Sequence, residues 1–222
     1  MSSDETSVRQ QNPRIEMADP ARMNDAQRQV YDKIVAGKRG KVIGPLRVAL
    51  HSPDLADRWQ ALGEFLRFET DLPATATELA IITTGRYWNS QVEWVIHARI
   101  AAEAGLAPAI IEAIRCAQAP AMDSPLLAAV YDFTCEVLEF GHVSDAVYAA
   151  LSQLVAPAAR VELTAIIGYY SMVAMTLNVH EVPVPENENA LALDLSCNGQ
   201  LAHPTRLPKC IRRDTASGAR DV

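Results

Sequence analysis

Between Glu78 and Leu106 the chain reads ELAIITTGRYWNSQVEWVIHARIAAEAGL. Apolar residues recur at helical spacing on both sides of an Asn89-Ser90 break. The spacing predicts two helices, roughly 75–88 and 91–104, the second stopped by Gly105. Three ionisable groups, Glu78, Glu93 and His97, lie inside this apolar pattern. Arg86, Tyr87, Trp88 and Trp94 lie among them. If the two helices fold back as a hairpin, two carboxyls and an imidazole come close enough to share protons.

The remaining chain reads as helices of the same kind. Asn24 caps a first helix over about 24–36, and Gly37 stops it. Residues 37–53, GKRGKVIGPLRVALHSP, form a shaped loop that carries three glycines and ends near His51. Ser52-Pro53 opens a second helix whose Leu55, Trp59, Leu62, Phe65 and Leu66 make a core or subunit-interface stripe. After the central pair, Pro108 opens a fifth helix to about Cys116. Ser124-Pro125 opens a sixth, Ser144 caps a seventh, and Pro157 opens a long apolar eighth that reaches about Asn178. No stretch alternates with period two for long. The expected fold is all-α: a single-domain bundle of about eight helices over residues 13–185. A disordered segment, 1–12, precedes it, and a loosely attached tail, 186–222, follows.

Composition narrows the function. The net charge of −7 argues against a general nucleic-acid binder and gives no basic face for an anionic membrane. No run of about 18 apolar residues suggests a membrane span. The polar N-terminus has no signal-peptide core, and the four cysteines are scattered with no C-x-x-C pair. The expected setting is cytoplasmic, and no metal-ligand spacing is present.

Glu93 and His97 are four residues apart and share a helix face. Histidine is the usual proton-transfer group near neutral pH. Arg86 has the fork geometry to hold a carboxylate, and His51 stands at the end of a loop, where binding residues often sit. A plainer account exists for the carboxyls. Ser90-x-x-Glu93 and Thr75-x-x-Glu78 are capping-box patterns, under which both glutamates only close helix N-termini. Tyr169 and Tyr170 point about 100° apart on the eighth helix, so one is expected to face the core and the other a wetter environment. Asn178 and His180 are read as helix-end caps.

The runs E-L-A-I, Y-W-N-S-Q-V-E-W-V-I-H and A-G-L resemble the carboxymuconolactone decarboxylase family, within the wider alkylhydroperoxidase D-like group. The resemblance covers roughly residues 40–184 and includes GPLRVALHSP and IGYYSMVAMTLNVHEVP. The peroxidase branch has two cysteines on this segment. Aligned on Glu78 and His97, their places are taken by Ser90 and Glu93, so a cysteine peroxidase is disfavoured. The decarboxylase branch has Glu-Trp-x-x-His, as Glu93-Trp94 and His97 stand here.

The resemblance implies cofactor-free decarboxylation, or isomerisation, of a small carboxylated lactone or a related intermediate of aromatic catabolism. It implies His97, Glu93 and Glu78 as catalytic residues. Arg86, His51, Trp88, Trp94 and Tyr170 are the expected substrate contacts. A small carboxylate is the expected partner, and a homo-trimer or homo-hexamer the expected assembly. The competing expectation is a non-catalytic oligomeric ligand binder or scaffold of the same fold.

Overall fold

A computed structural model of the chain describes residues 13–185, 193 and 204–213. The segment 1–12, expected to be disordered, lies outside the described residues. Nine α-helices are found among those described: α1 (Asp25–Ala36), α2 (Gly44–Ala49), α3 (Pro53–Phe68), α4 (Ala74–Tyr87), α5 (Gln91–Glu103), α6 (Pro108–Arg115), α7 (Pro125–Phe140), α8 (Asp145–Ser152) and α9 (Pro157–Val179). The all-α architecture holds, with one addition. Two-residue strands β1 (Ala121–Met122) and β2 (Ile211–Arg212) pair in parallel.

The local signals work where they have side chains to act through. Asn24 and Gln27 close a reciprocal capping box on α1, and Ser124 and Ser144 each accept a backbone N–H at the starts of α7 and α8. The loop expected over 37–53 is shorter than its glycines suggested. Gly44 and Pro45 open α2 instead, a short helix that buries Leu46, Val48 and Ala49. The α3 stripe divides: Trp59 and Leu66 are core, whereas Leu55, Leu62 and Phe65 face outward.

α4 is the axis of the bundle. Every residue from Ala76 to Arg86 is buried, and the helix packs on α5, α6, α7 and α9. A helix enclosed on all sides has no solvated face to hold its polar groups. Thr83 and Thr84 solve this by donating their hydroxyls to the carbonyls of Leu79 and Ala80, at 2.6 and 2.8 Å. Burying Leu79, Ile81 and Ile82 stabilises the bundle by about 1.5–3 kcal/mol each. The turn to α5 runs through Asn89 in the left-handed region at φ 53°, a conformation asparagine tolerates better than most residues. The Ser90 N–H then donates to the Gly85 carbonyl.

The expected loose tail is corrected for its described part. The Thr205 N–H donates to the Tyr87 carbonyl at 2.7 Å, the Tyr131 hydroxyl donates to the Pro208 carbonyl at 2.9 Å, and Arg212 pairs with Asp132 at 2.8 Å. Leu207 is buried, and so is Leu193, whose backbone N–H and carbonyl are both bound by the Gln91 side chain. This segment is extended and docks through its backbone, so hydropathy period could not reveal it.

Candidate active site

The α4–α5 hairpin brings together the three ionisable groups of the central stretch. Glu78 comes from α4, and Glu93 and His97 come from α5. His97 Nδ1 is 2.7 Å from Glu78 Oε2, and His97 Nε2 is 3.1 Å from Glu93 Oε1. The three side chains are only about 5–6% exposed. The two contacts differ in kind. The Nδ1–Glu78 approach is a formed hydrogen bond, whereas Glu93 Oε1 lies within ion-pair distance of Nε2 without hydrogen-bond alignment.

Neither glutamate is a helix cap. Pro73 occupies the N-cap position of α4, and the Ser90 side chain makes no capping hydrogen bond at the start of α5. The capping-box patterns are therefore coincidental at both places. The chain spends two buried carboxyls on one imidazole instead.

Burial pushes the Glu93 carboxyl above its ordinary range. The neighbouring His97 opposes that shift, and the Glu78 charge adds to it. These contacts form a relay in which His97 Nδ1–H donates to Glu78 and Nε2 faces Glu93, whose protonated form burial favours. The tautomer is assigned from its partners. With carboxyls at both ring nitrogens, His97 has no lone pair directed at a metal. Among the described residues no group of three or more His, Cys, Asp or Glu side chains is arranged to hold one.

Tyr170 on α9 sets its ring edge-on to His97, with centroids 5.1 Å apart, and it is buried. Tyr169 is buried too, so the expected division between a core-facing and a wetter tyrosine does not occur. Burial raises both phenols, Tyr169 to about 12, so neither ionises near neutral pH. The two rings meet edge-to-face at 5.2 Å, and Tyr169 stacks in the same way on Trp59 at 6.4 Å.

The other expected substrate contacts stand elsewhere. His51 is exposed, and its Nε2–H donates to the Glu16 carbonyl at 2.6 Å. Arg86 is eight residues beyond Glu78, about 12 Å along the helix axis. Its guanidinium binds the Arg115 carbonyl, the Asn89 side chain and Thr205 Oγ1, so it clasps the C-terminal segment. Trp94 is fully buried core. Trp88 ends α4, stacks on Tyr87, and accepts a hydrogen bond from Asn178 through its carbonyl.

Two residues near the relay escaped the sequence reading. Arg39, in the loop after α1, places Nη2 3.3 Å from the Tyr169 hydroxyl. Gly63 on α3 makes room for that pair: a Cβ there would overlap both the hydroxyl and Arg39 Nη2. Nothing in the local sequence distinguishes Arg39 from the lysines beside it, because its partner is 130 residues away. A surface cleft of about 180 Å³ between α1 and the start of α3, lined by Val30, Lys33, Asp54 and Asp57, shares no residue with the relay.

The described thiols lie apart from these groups. Burial raises Cys135 to about 12 and Cys210 to about 11. A hydrogen bond to Glu112 leads the upward shift at Cys116. No helix among the described residues is long and apolar enough to cross a membrane.

No family model and no curated protein sequence matches the chain. Solved structures do. A peroxidase-related protein with the alkylhydroperoxidase AhpD core, from Ralstonia eutropha JMP134, superposes with a TM-score of 0.66 at 18% identity, over 79% of this chain and 93% of that one. A peroxidase-related protein from Silicibacter sp. TM1040 gives 0.66 at 15% identity, over 83% and 98%. The debrominase Bmp8, as a cysteine-to-alanine variant in complex with 2,3,4-tribromopyrrole, gives 0.64 at 13% identity, over 81% and 97%. At these identities the likeness is one of architecture, and it shows that the chain is built on the alkylhydroperoxidase AhpD-like fold.

Proposed function

We propose that the protein is a cofactor-free acid–base enzyme in which the Glu78–His97–Glu93 relay moves a proton to or from carbon on a small carboxylated substrate. The observation that carries this reading is the imidazole of His97 with a buried carboxyl at each nitrogen. A neutral structural histidine calls for one acceptor only, because its other ring nitrogen is itself an acceptor. Two carboxyls from two helices cost desolvation that packing alone would not select.

The reaction favoured by the Glu93-Trp94-x-x-His97 pattern is decarboxylation of an unsaturated lactone carboxylate. The carbon–carboxylate bond breaks, its electron pair enters the conjugated lactone carbonyl, and CO2 leaves. Glu93 delivers a proton to the resulting dienolate carbon. The net reaction consumes one proton, which solvent returns to the relay. The electron sink is the substrate's own carbonyl. Isomerisation of a lactone with hydrogen at that carbon would replace loss of CO2 by removal of a proton there, followed by the same proton delivery. Supply of one positioned acid–base group is worth about 10²–10⁴-fold in rate.

The test is turnover of 2-carboxy-5-oxo-2,5-dihydrofuran-2-acetate and of its decarboxylated counterpart in heavy water. CO2 release and deuterium entering the ring are followed by NMR. Turnover in the wild type, lost in His97→Gln with the fold retained, supports the reading. CO2 release and deuterium uptake that stay at the buffer rate in the wild type, or that persist unchanged in His97→Gln, exclude it.

A further inference from the structure

We infer that Arg39 is the substrate-anion contact of this site, a specificity-determining residue held over Gly63 against the Tyr169 hydroxyl. The inference rests on the acid–base reading and assigns the substrate's carboxylate a place in it.

The side chains of the relay are only about 5–6% exposed. His97 leads to Tyr170, Tyr170 to Tyr169, and Tyr169 to Arg39, through ring contacts of 5.1 and 5.2 Å and a hydrogen bond of 3.3 Å. The first three members of that series are buried, and Arg39 is its half-exposed end. Arg39 is therefore where this series meets solvent. It is mounted on a loop, residues 37–43, rather than on a helix.

The chemistry of Arg39 matches the role. Its guanidinium is always charged and presents a planar fork suited to a carboxylate. The chain has 27 acidic against 20 basic residues, and yet no carboxylate among the described residues lies within ion-pair distance of Arg39. Its Nε is buried and has no hydrogen-bond partner among them, and its one polar side-chain contact is a neutral phenol. An unsatisfied buried donor of this kind costs stability. Two other half-buried arginines of the N-terminal half are committed to backbone: Arg47 binds the carbonyls of Ala18 and Met17, and Arg28 that of Pro20. Gly63 supports the same conclusion. A side chain there would expel the guanidinium and the phenol together, so the close approach of Arg39 depends on that glycine.

Arg67, one turn beyond Gly63, is a second half-buried cation facing the relay. It lies over the Phe68 ring and contributes field at Glu93 without a comparable polar anchor. It serves as the control.

The experiment uses the full chain and a panel of acetate, benzoate and (5-oxo-2,5-dihydrofuran-2-yl)acetate, each beside its neutral methyl ester. Binding is read from the His97 imidazole resonances and by calorimetry. In the wild type at least one acid should bind more tightly than its ester. Arg39→Gln should weaken that acid by about 10–100-fold, as loss of a charge-assisted hydrogen bond does, and leave the ester unchanged. Arg39→Lys should restore part of the preference, and Arg67→Gln should lower it by less than Arg39→Gln does. Equal binding of acids and esters in the wild type, no binding of either, or an acid preference that survives Arg39→Gln overturns the inference. His97→Gln separates the two readings. Acid preference retained there while turnover is lost supports both. Acid preference that depends on Arg39, with turnover indifferent to His97, leaves the anion contact standing and removes the acid–base mechanism.

Discussion

His97 Nδ1 and Glu78 Oε2 stand 2.7 Å apart across the α4–α5 hairpin, joining residues 19 apart in sequence. The bond fixes which ring nitrogen faces Glu93, and with it the direction in which the relay can pass a proton. Glu78→Gln preserves shape and can still accept from Nδ1–H, but it can no longer take or return a proton. Turnover should fall by about 10²–10⁴-fold with little change in melting temperature. A full kcat across pH 5–9 in that variant would reduce Glu78 to a packing residue.

Glu93 gives the pH dependence. Burial raises its carboxyl, so the folded state holds a proton that the unfolded chain releases near pH 4.3. The stability this contributes is full below the unfolded value and is lost as pH rises through the folded value. Glu78, His97, Tyr170, Tyr169, Arg39 and Arg67 all face this group, and each is left in place by Glu93→Gln. The amide mimics the protonated acid, so its stability should be flatter with pH. Above pH 5 the wild type should lose ground relative to the variant by up to about 1.4 kcal/mol per pH unit while folded Glu93 keeps its proton, and the loss should level off once it ionises. Thermal unfolding at four values between pH 5 and 8 measures the difference, and parallel curves would show that the carboxyl has an ordinary titration.

The helices and the relay were legible because each rests on local spacing. Glu93 and His97 share a face by being four apart, and Glu78 joins them once Asn89 turns the chain back. The substrate contacts were not legible in this way. Arg86 has the right chemistry, but its helix position directs it to the C-terminal segment. Arg39 has no pattern around it and reaches the site only because Gly63, Tyr169 and its own loop meet in three dimensions. The docked tail was missed for the same reason: backbone pairing between Ala121 and Ile211 leaves no trace in hydropathy.

Arg86 supplies a stability prediction separate from chemistry. Its guanidinium and Thr205 Oγ1 both bind Asn89 Oδ1, and Arg86 also holds the Arg115 carbonyl. Arg86→Met keeps the apolar stem and leaves these buried acceptors without that donor. The cost should be about 1–3 kcal/mol, seen as a fall of about 2–4 °C in melting temperature per kcal/mol. Protease cleavage within 204–213 should accelerate, whereas kcat for any turnover found should be unchanged. A lower kcat with an intact tail would return Arg86 to the site.

The thiols distinguish acid–base from sulfur chemistry. A thiolate is the nucleophile that attacks a peroxide or an alkylating agent, and all three described cysteines are shifted away from it. For Cys135 and Cys210, burial is the leading cause, and both are held well above neutral pH. For Cys116, the Glu112 carboxylate accepts its S–H at 3.2 Å and stabilises the protonated form. In a Cys197→Ser background, iodoacetamide at pH 7 should therefore label the protein more slowly than it labels free cysteine. Even exhaustive labelling of Cys116, the exposed thiol, should leave proton-transfer turnover unchanged. Rapid labelling that abolishes turnover, or thiol-dependent peroxide consumption in that background, would move the chemistry from His97 to sulfur.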